Sequence, residues 1–298
     1  MGILFAIICA IGYSSNYILI QLGMEKSKKD NGDLTSMVSA VATVSVAFIL
    51  ITLFRQTEMP LLNRTGFFFY LLAGFSTAFL GRLFLSRGIR KIGSTRASGL
   101  KNSAPIFTIF IAVVLMGEQI SFGASLGMSI IFIALFLQAR FDFKRNGDVH
   151  EKDRKYGLLL SITAAICFGI GQAARKQGII YYSDPILGSL IGSVFALVAF
   201  LIFEFYQNQI NETFLRSIKS LNYFFVGAGI CTAIAQLSFF ISLLYTHVSY
   251  TSAIAAVEPI VTVILSKIFL KKEENVTLRL SLTAFAIFLG ASIMILNR

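Results

Sequence analysis

The 298-residue chain is poor in the residues from which soluble domains and catalytic centres are built. Charged residues make up 14% of it, against about 25% in a soluble domain. There are two histidines, His150 and His247, and three cysteines, Cys9, Cys167 and Cys231. The cysteines lie within apolar stretches, lack metal-ligand spacing and are odd in number, so neither a disulfide framework nor a metal site is expected, and no cofactor is implied. All the aspartates (Asp30, Asp33, Asp142, Asp148, Asp153 and Asp184) fall outside the apolar stretches or at their ends. No HExxH, paired carboxylate or Ser/His/Asp grouping sits inside them, which argues against a membrane-embedded enzyme acting on lipid-linked substrates. A Walker motif is also missing, so the chain holds no ATP-driven pump of its own.

What remains is apolar. Hydrophobic residues account for 56% of the chain, and the mean hydropathy is +0.76. Ten runs stand out, at 2–23, 34–54, 66–87, 94–116, 121–138, 157–177, 185–204, 222–244, 249–270 and 278–296. A run of about 20 apolar residues crosses a hydrocarbon core of about 30 Å as a helix. The runs are continuous rather than alternating, unlike the strands of an outer-membrane barrel. The first run lacks a basic n-region and is too long for a signal-peptide h-region. The expected class is an all-α integral membrane protein with ten transmembrane helices, multi-pass in a plasma or inner membrane.

The formal net charge of +11 suggests nucleic acid, but its placement does not. Lysine and arginine gather in the connections, mostly those after runs 1, 3, 5, 7 and 9, including Lys26, Lys28, Lys29, Arg216 and Lys219. That is a topology signal, and it places both termini outside and the 139–156 linker in the cytoplasm.

The chain also resembles itself at an offset near 155. Gly2/Gly157, Leu4/Leu159, Ile7/Ile162 and Gly23/Gly178 match, as do Gly74/Gly229, Thr77/Thr232 and Phe84/Phe239. After a one-residue slip, Ser98/Ser252, Pro105/Pro259 and Thr108/Thr262 match as well. The organisation expected is a five-helix repeat over 1–138, a charged linker over 139–156 and a second five-helix repeat over 157–298. Five is odd, so the second copy enters the membrane from the opposite side. Inverted repeats of this kind give alternating access around a site at mid-membrane.

The run 104-APIFTIFIAVVLMGEQIS-121 and its counterpart 258-EPIVTVILSKIFLKKEE-274 resemble the drug/metabolite transporter (DMT) superfamily, EamA type. The resemblance covers the whole chain, although Lys271-Lys272-Glu273 replaces the usual Gly-Glu of the second copy. It implies a ten-helix secondary transporter of small metabolites, with helices 1, 3, 4, 6, 8 and 9 lining a central cavity. It also implies cytoplasmic termini, against the charge distribution, and leaves the cargo unnamed.

Polar residues at membrane depth each need a reason, because an unpaired charge or amide there costs several kcal/mol. Lys101 follows Ser94 and Ala97 and precedes Ala104 and Thr108 at helical spacing, on a small, polar stripe. Thr251, Ala255, Glu258 and Thr262 form a similar stripe in the ninth run. Pro105 and Pro259 are expected to kink their helices and release the carbonyls of Lys101 and Ala255. Three readings of Lys101 stand at this level: snorkelling, an ion pair with Glu258, or a role in binding cargo. Glu258 is the carboxylate well inside a run, and either couples transport to a proton or packs locally at its Glu-Pro step. Asn102, Asn16, Tyr13, Gln172, Gln236, Arg82, Arg175 and Tyr245 complete the candidate cavity set, with interhelical hydrogen bonding as the alternative for the neutral ones and a place at span ends for Arg82 and Arg175. Cations exceed carboxylates at depth, which favours an anionic or zwitterionic small-molecule cargo. The partners expected are therefore that cargo, the lipid bilayer and a coupling proton. A channel or signalling subunit is the competing class.

Overall fold

The computed structural model describes residues 1–27, 32–54, 63–92, 97, 100–145, 151–269 and part of 282–297, and among them every regular element is helical. The elements are α1 (Gly2–Lys26), α2 (Asp33–Phe54), α3 (Arg64–Gly74), a π-helical stretch (Phe75–Gly81), α4 (Arg82–Ile92), α5 (Ala104–Met116), α6 (Phe122–Arg145), α7 (Glu151–Tyr181), α8 (Pro185–Tyr206), α9 (Ile210–Lys219), α10 (Tyr223–Tyr245), α11 (Val248–Ala255) and α12 (Glu258–Phe269).

Six helices among the described residues are long and apolar enough to cross a membrane: Gly2–Lys26, Asp33–Phe54, Arg64–Ile92 through the π-helical stretch, Arg154–Tyr181, Pro185–Tyr206 and Tyr223–Tyr245. Two of the other runs differ from the sequence expectation. In 94–116 the helix is interrupted at Asn102 and Ser103, and α5 keeps only 13 residues. In 249–270 it is interrupted at Ala256 and Val257, between the eight residues of α11 and the twelve of α12. The tenth run lies largely outside the described residues, as do Ser94, Ser98 and Lys271-Lys272-Glu273.

The two interruptions correct the expected proline kinks. Pro105 and Pro259 each stand in the first turn of a new helix instead of bending a continuous one. A first turn has no intrahelical partner for its N–H groups, so the missing N–H of proline costs nothing there. The preceding turns close with short bonds, from Ser103 N–H to the Leu100 carbonyl and from Val257 N–H to the Ile254 carbonyl.

The helix ends follow from their capping residues. The Asp184 carboxylate accepts from the N–H groups of Ile186 and Leu187 ahead of α8, and Asn222 does the same for Phe224 and Phe225 ahead of α10. Gly117 ends α5 at φ 68°, a left-handed conformation that glycine reaches without a Cβ clash. The charged linker is more helical than its composition suggests, since α6 runs to Arg145 and α7 starts at Glu151. Lysine, arginine and glutamate are good helix formers.

The chain forms two compact units. The first contains Met1–Phe75, Ala174–Thr246 and Glu258–Glu273; the second contains Ser76–Ala173, His247–Val257 and Glu274–Arg298. Each draws on both halves of the sequence. In the first, α1 packs on α10 and α12, α2 packs on α10 and α8, and α3 packs on α8. In the second, α11 packs on α5.

Many large apolar side chains face outward, and small residues fill many of the buried positions. On α2, Val46, Ile49, Leu50 and Leu53 are exposed while Ala40 and Val44 are buried. Buried positions on α1 include Ala6, Cys9, Ala10 and Gly12. Lipid is as apolar as leucine, so helices associate in membranes through close approach of small residues. Gly74 of α3 is an extreme case, because a Cβ there would collide with the backbone of Gly192 in α8. Gly74→Val is expected to destabilise the fold by at least about 1–3 kcal/mol, whereas Gly227→Ala, whose Cβ would meet Leu19 at 3.4 Å, should be near neutral. Thermal unfolding of both variants in detergent checks this.

Tyrosines divide between two environments. Tyr156, Tyr181, Tyr206 and Tyr223 are exposed near helix ends, as an interfacial belt requires. Tyr70 and Tyr182 are buried instead. The Tyr70 hydroxyl donates to the Tyr182 carbonyl, a bond that satisfies its polar end in the interior.

Candidate functional site

In the first unit, α1, α7, α10 and α12 bring together Tyr13, Arg175 and Glu258. Arg175 is 5% exposed, and its guanidinium carbon lies 5.4 Å and 5.3 Å from the ring centroids of Phe239 and Phe240. Both phenylalanines are almost fully buried. The half-buried Tyr13 hydroxyl faces the Arg175 guanidinium, with Glu258 in electrostatic range of it. Glu258 is buried as the first residue of α12. A carboxylate in a helix's first turn is favoured by the helix dipole. Ser14 ties this start to α1, its hydroxyl lying 2.8 Å from both the Glu258 and the Ala10 carbonyl oxygens. The result is a buried guanidinium beside two aromatic rings, a geometry suited to gripping a carboxylate or phosphate through its planar fork.

The other candidates of this unit act between helices. Asn16 donates both amide hydrogens, to the Ala228 carbonyl (2.9 Å) and to Thr232 Oγ1 (2.8 Å). Gln236 donates to Ser193 Oγ (3.0 Å) and to the Ser189 carbonyl (3.3 Å). Lys176 donates from Nζ to the carbonyls of Leu243 (2.7 Å) and Thr246 (3.0 Å), closing the end of α10. Tyr245 stands at that end, 53% exposed.

The second unit holds Lys101, Asn102, Arg82, Pro105 and Gln172. Ala97, Lys101, Ala104 and Thr108 are all buried, so the polar stripe faces inward. Lys101 Nζ sits 5.3 Å from the ring centroid of Phe168 instead of reaching along a lipid-facing surface. Lys101 and Glu258 belong to different units. Gln172 Oε1 accepts from Thr108 Oγ1 (2.9 Å) and Ser252 Oγ (2.8 Å), joining α7 to α5 and α11. Asn102 is half-buried in the interruption before α5, and Arg82 is half-buried directly after the π-helical stretch. Such stretches recur at functional sites.

Glu118 has a role that spacing alone did not reveal. Its carboxylate accepts from the N–H groups of Val248 (2.9 Å) and Ser249 (3.2 Å) and from Ser249 Oγ (2.6 Å), with His247 Nδ1 at 3.5 Å. It therefore caps α11 from 130 residues away. The signal was the Gly-Glu step itself, since Gly117 turns the chain and presents Glu118. Glu118→Ala is expected to cost about 1–2 kcal/mol, with Glu118→Gln costing less because its one amide oxygen still accepts. Denaturation midpoints of both variants, measured together, check the order.

A family model described as the EamA-like transporter family matches residues 1–140 and again 155–296. No curated protein matches the chain. A crystal structure described only as that of a protein superposes on 100% of this chain and 98% of its own, with a TM-score of 0.71 at 14% identity. That likeness carries the fold alone.

Proposed function

Since the chain belongs to the EamA-like transporter family, within the DMT superfamily of multi-pass membrane transporters, we propose that it carries a small anionic or zwitterionic metabolite by alternating access, without ATP. The observation that carries this proposal is the buried Arg175 guanidinium against the rings of Phe239 and Phe240, beside Tyr13 and near Glu258. Burying a cation at membrane depth is expensive, and binding an anion is a function that justifies it. The Arg175 fork takes a carboxylate or phosphate through parallel hydrogen bonds.

The two interrupted helices support the transport part. In each repeat a break precedes a proline-bearing half-helix, α5 or α12, at matching positions of the two halves. Paired interruptions of this kind mark the site in inverted-repeat transporters, where half-helix N-termini favour anionic groups. In this scheme there are ten spans in two inverted sets, 1–138 and 157–298 about the 139–156 linker. Glu258 is the coupling group: as a carboxylate it neutralises the Arg175 region, and once protonated it leaves that cation to the cargo. Uptake into proteoliposomes from a panel of anionic, zwitterionic and cationic solutes tests the proposal. Saturable uptake restricted to the first two classes supports it, and uptake of cations alone would overturn it.

A further inference from the structure

The connection between α8 and α10 reads from sequence as a loop, yet it contains the ten-residue helix α9. Asn208, at φ 55°, turns the chain between α8 and α9. Successive residues of a helix turn by about 100°, which sorts α9 into three faces instead of the usual two. Ile210, Thr213 and Ser217 occupy one third of the circumference. Ser217 is 6% exposed, and Thr213 Oγ1 donates to Glu204 Oε2 at 2.5 Å, so this face rests on the protein. Phe214, Leu215 and Ile218 occupy the second third and are 54%, 56% and 61% exposed, with Asn211 the one polar residue among them. Glu212, Arg216 and Lys219 occupy the last third, where Arg216 and Glu212 pair at 3.6 Å while remaining open to solvent.

Three faces of different chemistry call for three surroundings at once: protein, hydrocarbon and water. A helix meets all three where the rim of a membrane protein crosses the lipid headgroups. The apolar third is also continuous in chain order with exposed Phe205 and Tyr206 at the end of α8 and with exposed Leu221 and Tyr223 before and at the start of α10. We propose that α9 is an interfacial helix lying in the lipid leaflet, its apolar third among the upper acyl chains and Arg216 and Lys219 against anionic headgroups. Amphipathic helices seat about 5–10 Å into that boundary and bind more strongly to anionic lipid. In this position α9 couples the α8–α10 connection to the composition of one leaflet.

The chain contains no tryptophan, so a single substitution gives an unambiguous fluorescent probe. Full-length F214W and E212W are reconstituted in phosphatidylcholine vesicles, with and without phosphatidylglycerol, after both are shown monodisperse by size exclusion. The expected result is blue-shifted F214W emission, quenched severalfold more by phosphatidylcholine brominated in the upper chain than by aqueous iodide, with the opposite preference for E212W. Phosphatidylglycerol should strengthen lipid quenching of F214W, and replacing Arg216 and Lys219 with glutamine should remove that gain. Equal iodide quenching of the two probes would overturn the interfacial placement. So would an F214W probe shielded from both quenchers, which would put a second protein copy on this face. Quenching indifferent to phosphatidylglycerol would overturn the role given to Arg216 and Lys219.

Discussion

Arg175→Gln is expected to abolish saturable uptake of an anionic cargo while leaving folded protein in the membrane. Arg175 is a buried guanidinium of the first unit, 5% exposed against the rings of Phe239 and Phe240. Truncating one partner of a buried charge pair costs about 2–5 kcal/mol, which corresponds to a loss of about 30-fold or more in apparent affinity. Glutamine keeps hydrogen-bonding capacity and much of the volume but removes the charge and the fork. Its loss from the fold should be smaller, since the cation–π contacts are worth about 0.5–2 kcal/mol. Arg175→Lys separates charge from shape. A point charge without a planar fork should restore part of the transport, with a raised half-saturation concentration. If Arg175→Gln transported at the wild-type rate and half-saturation, the anion site would have to lie elsewhere, and Lys101 would be the next residue to replace.

The second large effect concerns Glu258. A proton gradient of one unit supplies about 1.4 kcal/mol per proton, enough for about tenfold accumulation of cargo. If Glu258 carries the coupling proton as proposed, accumulation of cargo should depend on a proton gradient directed with it. Glu258→Gln mimics the permanently protonated state. It should therefore lose gradient-driven accumulation while keeping exchange of cargo across the membrane, at a rate independent of pH. Accumulation that survives in this variant would remove Glu258 from coupling and leave it as the first residue of α12, held to α1 through Ser14.

Membrane character and the repeat were legible in the sequence because both depend on long stretches. Apolar runs set the six long helices, and the family match falls once in each half. The interruptions were half legible. Pro105 and Pro259 drew attention to the right places, but proline reports only its own missing N–H and cannot say whether the chain bends or restarts. That outcome depends on the turns at Asn102–Ser103 and Ala256–Val257, where short i→i+3 bonds replace the helix. Long-range contacts were not legible at all. The Phe239 and Phe240 rings beside Arg175 lie more than sixty residues from it in sequence, and Glu118 caps a helix 130 residues away. Asn16 and Gln236 carried two readings from sequence, cavity lining and interhelical hydrogen bonding, because an amide in an apolar run shows its polarity and hides its partner. In the folded chain their amide hydrogens go to neighbouring helices. The α9 helix escaped because its apolar residues cover one third of a short segment, too few to give a two-faced period.

The central claim is alternating access to an anion site, and counterflow tests it most directly. Proteoliposomes preloaded with an excess of unlabelled cargo are diluted into a trace of the labelled form, with no ion gradient present. A carrier exposing one site to each side in turn should concentrate label transiently inside, in an overshoot that Arg175→Gln abolishes. A channel would equilibrate the label without overshoot, and that result in wild-type vesicles would contradict the account.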